Sequence, residues 1–192
     1  IKGGKSRSIV QQGLELLVRL SHRAAAGWDP ETGDGAGILV QVPEKFLREE
    51  LKAQGLELPR PRSWAPGMVF LPADASARAA CERVIEEAIA EEGQRLIGWR
   101  DVPVDPERLG KLARSNMPVI RQVFVAARRV VPSAFERKLY AIRKLSENRI
   151  RDRGLDPEKR FHVASLSAET LVYKGLLLAR QLPLFYKDLS QP

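Results

Sequence analysis

Apolar positions recur along the chain with two periods, and glycine, proline or aspartate marks the places where the period changes. Ile9, Leu14, Leu17, Val18 and Leu20 fall at near-helical spacing, which predicts an amphipathic helix over 6–21. The Asp29-Pro30 pair and the glycines of 33–37 read as a loop. Residues 36–42 read as a strand ended by Pro43, and 45–53 as a short helix. The proline-rich stretch 57–65 reads as a connection, followed by a buried strand at 68–71. An Ala- and Glu-rich segment, 74–92, places Ala80, Val84, Ile85, Ala88 and Ile89 on one helical face. A strand at 96–102 precedes a helix over 105–114, opened by Asp105 as cap and Pro106 in the first turn. Val123, Val125 and Ala127 alternate in a strand over 119–129. Ser133 is the expected cap of a long helix to 153, with Phe135, Leu139, Ile142, Leu145 and Ile150 as its stripe. Strands at 161–166 and 170–173 and a closing helix over 175–189 complete the reading. The middle alternates strand with helix, which predicts an α+β or α/β layer arrangement.

Composition narrows the classes. The 192 residues suit one domain or a large part of one, and 44% apolar residues are enough for a core. No run reaches the roughly 18 apolar residues of a membrane helix, and no apolar segment of the signal-peptide type is visible. One cysteine, Cys81, excludes an internal disulfide and argues against a cysteine-rich metal site; only His22 and His162 could add imidazole ligands. These features point to a reducing, cytoplasmic setting. The net charge of +8 fits either a solvated basic surface or a nucleic-acid footprint. Acids interleaved with the bases, as in Glu136-Arg137-Lys138 and Arg151-Asp152-Arg153, and the scarcity of aromatics favour the solvated surface.

The richest candidate chemistry lies at 22–42. His22 and Arg23 end the first helix, where cations suit the dipole; Arg23 could equally bind a carboxylate through two parallel hydrogen bonds. Asp34, Gly35 and Gly37 belong to a loop that reads as a tight structural turn, a phosphate cradle, or a backbone approach to an active site. The order helix, glycines, strand reverses that of a dinucleotide fingerprint, which counts against the cradle. Cys81, inside a helix, reads as packing, and His162, alternating with apolar neighbours, as a hydrogen-bonded sheet residue. Thr170 and Lys174 flank the last strand, with Lys174 placed either toward a cleft or at the surface.

Residues 17–42, LVRLSHRAAAGWDPETGDGAGILVQV, resemble the N-terminal glutamine amidotransferase domain of glutamate synthase large subunits. Gly98-Trp99-Arg100-Asp101-Val102-Pro103, Phe135-Glu136-Arg137-Lys138-Leu139-Tyr140 with Arg143-Lys144, Ser165-Leu166-Ser167, Thr170-Leu171-Val172-Tyr173-Lys174-Gly175, Phe185-Tyr186 and Asp188-Leu189 continue the likeness in order. The resemblance implies an α+β fold of N-terminal-nucleophile hydrolase type, an αββα sandwich of which this chain is part. Residues 1–43 would give its helix, loop and strand, 44–160 an inserted α/β segment, and 161–192 the return to the core. It implies hydrolysis of glutamine to glutamate and ammonia by an N-terminal cysteine thiolate, with the α-amino group as base. The ammonia would pass to a synthase domain of the same large subunit, to meet 2-oxoglutarate. FMN, an iron–sulfur cluster and NAD(P)H or ferredoxin would serve there, with a small electron-transfer subunit as a further partner. None of these cofactors is expected in this segment. By the same likeness the nucleophile precedes a segment like Ile1-Lys2-Gly3, the substrate-binding arginine and the oxyanion hole follow one like 185–189, and Arg23 matches an arginine near the nucleophile. The expectation is therefore a segment cut at both ends and inactive alone, whose active-site vicinity is His22, Arg23, Asp34, Gly35, Gly37, Thr170 and Lys174. Glu169 stands where the family has Arg, and Ala24 where it commonly has Gly. Two other readings stay open: a non-catalytic interaction or regulatory module on this scaffold, and a basic RNA-binding domain.

Overall fold

Ser6 starts the first helix by accepting the Ile9 amide on its hydroxyl at 3.3 Å, and α1 runs Arg7–Arg19. The computed structural model describes residues 4, 6–23 and 29–191; residues 1–3 and Ala24 lie outside the described residues. A 3₁₀ turn at Ser21–Arg23 follows α1, then β1 (Ala36–Gln41), α2 (Glu44–Ala53), β2 (Trp64–Leu71), α3 (Ala75–Glu91) and β3 (Arg95–Asp101). After these come α4 (Lys111–Ser115), β4 (Val119–Ala126), α5 (Pro132–Asp152), β5 (His162–Leu166), β6 (Thr170–Gly175) and α6 (Leu182–Phe185). The chain divides into two units. One holds residues 1–41, 102–117 and 172–192, the other 42–101 and 118–171.

The second unit is a four-stranded sheet of order β3-β4-β2-β5 in which every neighbouring pair is antiparallel. Its chain order, β2-α3-β3-β4-α5-β5, is the split βαβ arrangement of ferredoxin-like folds. The second unit is thus α+β rather than a parallel α/β layer: strands that alternate with helices along the chain pair antiparallel, with β2 between β4 and β5. Strand periodicity sends Ala65, Val69 and Leu71 of β2 and Val123 and Val125 of β4 to one face. Cys81, Val84, Ile85, Ala88 and Ile89 of α3 and Phe135, Leu139, Ile142 and Ile150 of α5 close over that face. β2 begins at Trp64, earlier than expected, and carries Pro66 inside it; β4 ends at Ala126, short of 129. The long helix begins at Pro132 with Val131 as its cap, so Ser133 lies within the first turn rather than capping it.

In the first unit, β1 pairs with β6. The expected helix over 105–114 is instead a 3₁₀ turn, Pro106–Arg108, and the short α4. Leu109 is extended between them, and Gly110 presses so closely on Thr32 and the Glu31 carbonyl that no side chain fits there. The expected helix over 175–189 is also broken, into Ala179–Gln181, α6 and a 3₁₀ turn at Lys187–Ser190. Tyr186 interrupts it by taking an extended conformation and bridging antiparallel to Val104. The rings of Tyr173, Phe185 and Tyr186 meet edge to face there, at 5.1 Å and 4.8 Å between centroids.

Candidate functional site

The glycine loop is built against the chain's own backbone. A Cβ on Gly33 would lie 2.7 Å from the Leu177 carbonyl oxygen, and one on Gly37 would lie 2.7 Å from Lys174 Cβ. Gly35 has φ +135°, a conformation that side chains resist. The space a phosphate would need at Gly33 and Gly37 is therefore taken by protein atoms. The close approach seats β1 beside β6 and brings Gly37 to Lys174.

The other expected residues are placed as follows. His22 is exposed, with Nδ1 3.0 Å from the Arg19 carbonyl at the end of α1. Arg23 is exposed beside it, its amide donating to Leu20 O at 2.9 Å. Asp34 is exposed at the bend before β1. Among the described residues, neither the Arg23 guanidinium nor the Asp34 carboxylate has a hydrogen-bond or ion-pair partner. Lys174 is half-buried, and its carbonyl accepts the Tyr186 hydroxyl at 2.7 Å. Burial raises the Tyr186 phenol well above its ordinary value, so it stays a donor. Thr170 opens β6 in the second unit, its amide donating to Ser167 Oγ at 3.3 Å. Gly37 and Lys174 are the pair the fold brings together.

Sequence reasoning missed the group that fixes this loop. The Asp29 carboxylate accepts the Thr32 hydroxyl at 2.7 Å, the Glu31 amide at 3.1 Å and the Leu112 amide at 3.0 Å. Thr32 Oγ1 then accepts the Ala113 amide at 3.3 Å. Two residues distant in sequence thereby cap α4, whose own cap is the side-chain-free Gly110. The Leu112 amide, followed by the Thr32 hydroxyl, holds the Asp29 carboxyl below the usual carboxylate range. Asp29-Pro30-Glu31-Thr32 carries an Asx-turn signature, which reveals the local half of this network but not its distant partner. In the second unit Glu136 accepts the Ala168 amide at 2.7 Å and so fixes the turn before Glu169.

Cys81 is fully buried, and burial pushes its thiol up to about 11, with the Asp156 and Glu82 charges adding to the shift. It is not an accessible thiolate. An iron–sulfur cluster needs several thiolates, so a chain whose one cysteine is Cys81 does not fit that group. Among the described residues no cluster of three or more acidic, histidine or cysteine side chains is placed to hold a metal ion. His162 stands in β5 beside Phe70, ring centroids 6.0 Å apart. Much of the basic charge faces carboxylates, as in Lys138–Glu92, Arg149–Glu91 and Arg121–Glu82 at 2.7, 2.6 and 2.6 Å. Among the described residues no helix is long and apolar enough to cross a membrane.

Comparison with known proteins accounts for the conjunction of these motifs. The chain is 45% identical over 192 residues to the NADPH glutamate synthase large chain of Bacillus subtilis, covering 99% of this chain and 12% of that one. It is 39% identical over 191 residues to the corresponding large chain of Azospirillum brasilense, 98% of this chain and 12% of the relative. Ferredoxin-dependent glutamate synthase 1 of Arabidopsis thaliana is 38% identical over 186 residues, 96% of this chain and 11% of that protein. The chain thus spans about an eighth of the length of the curated relatives it matches. The family model of class II glutamine amidotransferases matches residues 1–192, and the chain belongs to that family.

Proposed function

We propose that residues 1–192 work as part of the glutaminase domain of a glutamate synthase large chain. The observation that carries the reading is a whole-length match to the amidotransferase family together with glutamate synthase relatives at 32–45% identity. In this reading a cysteine thiolate adds to the carboxamide carbon of glutamine, the C–N bond breaks and ammonia leaves. Water then cleaves the thioester to give glutamate and return the thiolate. Cys81 is buried and protonated, so the sulfur comes from a part of the large chain beyond these residues. The first unit supplies part of an αββα N-terminal-nucleophile sandwich, and residues 44–160 are an insertion into it. Arg23 and the loop through Asp34, Gly35 and Gly37 line the pocket on the first unit, with His22 and Lys174 in its surroundings.

Ammonia passes to a synthase domain of the same polypeptide, which carries FMN and an iron–sulfur cluster and meets 2-oxoglutarate. NAD(P)H or ferredoxin supplies electrons, as the names of the relatives suggest for those proteins. The enzyme is cytoplasmic, with a small electron-transfer subunit as its further partner.

The test compares the complete large chain, its Cys81→Ala variant and residues 1–192 alone, with glutamine as nitrogen source. Ammonia release by the complete chain and by Cys81→Ala, and none by residues 1–192, is the expected result. A complete chain that uses free ammonia but not glutamine ends the proposal, as does loss of glutaminase activity in a folded Cys81→Ala chain.

A further inference from the structure

Two loops meet at one end of the four-stranded sheet, and both are rich in arginine without acids. Arg60-Pro61-Arg62-Ser63 leads into β2, and Ala127-Arg128-Arg129-Val130 leaves β4. They lie side by side: Trp64 pairs with Ala126, and the Ala127 amide donates to Ser63 O at 2.8 Å. No acidic residue occurs between Glu57 and Asp74, nor between Glu107 and Glu136. A cavity of about 330 Å³ opens between the loops, lined by Arg60, Arg62, Ser63, Ala127, Val130 and Phe135 among others. Pro132 also lines it, at the start of α5, whose first turn holds no carboxylate and whose cap supplies no side-chain oxygen.

Among the described residues, the two loops carry arginines with no carboxylate beside them, whereas other arginines of the unit are ion-paired. Arg48, Arg100, Arg121, Arg143, Arg149 and Arg160 all face carboxylates. Among the described residues, the guanidiniums of Arg60, Arg62, Arg128 and Arg129 face none. Arg62 and Arg129 also sit at φ +61° and +52°, where glycine would be at ease. Arg60 and Arg62 line one cavity with no carboxylate among the described residues to neutralise them, which favours an anion between them.

We propose that this cavity binds a small organic anion through a phosphate or carboxylate group, a site separate from glutamine hydrolysis. Its floor of Phe135, Val130 and Pro132 takes the apolar body of the ligand, and the guanidiniums of Arg60 and Arg62 take the oxyanion in paired hydrogen bonds. Arg128 and Arg129 add field from the adjoining loop. The volume lies at the small end of ligand pockets, which suits a metabolite rather than a polymer.

The test measures equilibrium binding of pyrophosphate, and separately of citrate, to the complete large chain at physiological salt. Arg62→Gly removes a guanidinium and leaves a residue that accepts the same backbone; Arg60→Gln removes its neighbour at ordinary backbone geometry. Each variant is expected to keep the melting temperature and to weaken binding about tenfold, the loss of one charge-assisted pair. Arg83→Gln, which removes a charge outside the cavity, should leave binding unchanged. Binding of pyrophosphate alone identifies phosphate as the ligand group, and binding of citrate alone identifies carboxylate. A wild-type chain that binds neither, or Arg62→Gly and Arg60→Gln variants that bind as tightly as wild type, overturns the proposal. Glutaminase activity does not enter these readouts, so this site and the amidotransferase reading stand or fall separately.

Discussion

At the scale of single residues, Cys81 shows how far environment decides chemistry. A thiol in water ionises near 9.0, whereas the fully buried Cys81 is pushed up to about 11. Because the folded chain holds this proton more tightly, its contribution to stability is complete below pH 9.0 and is lost as pH rises toward about 11. Urea unfolding across that range should show stability falling with pH, with a shallower fall in Cys81→Ala; equal slopes would mean that Cys81 plays no part. Its position inside a helix, away from the helix N-terminus and among Ala and charged residues, made the packing role legible in sequence. The capping role of Asp29 and Thr32 was not legible, because it depends on Leu112 and Ala113, some eighty positions away. Local spacing carries no information about a cap supplied from a distant loop.

Elements show the same division between local and distant causes. The helices α3 and α5 were readable from their 3.6-residue stripes, and the residues of those stripes other than Ala80 and the partly buried Leu145 form the core over the sheet. Helices expected over 105–114 and 175–189 fail where an outside contact prevails: Gly110 pressed on Thr32, and Tyr186 bridged to Val104. For the α3–α5 pair the physics separates core from rim. Ile142, fully buried, should cost about 2–5 kcal/mol when cut to alanine, since both transfer and cavity terms apply. Arg153, half exposed and 3.3 Å from Glu87, should change stability by less than about 1 kcal/mol on the same truncation. Denaturant melts of the two variants check this; a larger loss from Arg153→Ala would place the pair's stability in its ion pairs instead.

For the whole molecule, the order of motifs along the chain was the strongest signal, because several short matches in sequence are far harder to meet by chance than one. That order placed the chain in its family but left the strand pairing unreadable, since β2 takes β4 and β5 as neighbours across long intervening segments. The site is readable to the same degree: the fold brings Gly37 to Lys174, while Arg23 and Asp34 keep exposed charges with no partner among the described residues. On the glutaminase reading, an arginine left unpaired in this way is available for the substrate's α-carboxylate. Lysine keeps the charge but not the planar fork that grips two oxygens at once. Arg23→Lys in the complete large chain should therefore raise KM for glutamine about tenfold, corresponding to roughly 1.4 kcal/mol. Glutamate formation from free ammonia should stay at the wild-type rate, because that route bypasses the amide. A variant impaired equally with glutamine and ammonia would make Arg23 a structural residue, and one unchanged with both would remove it from the pocket.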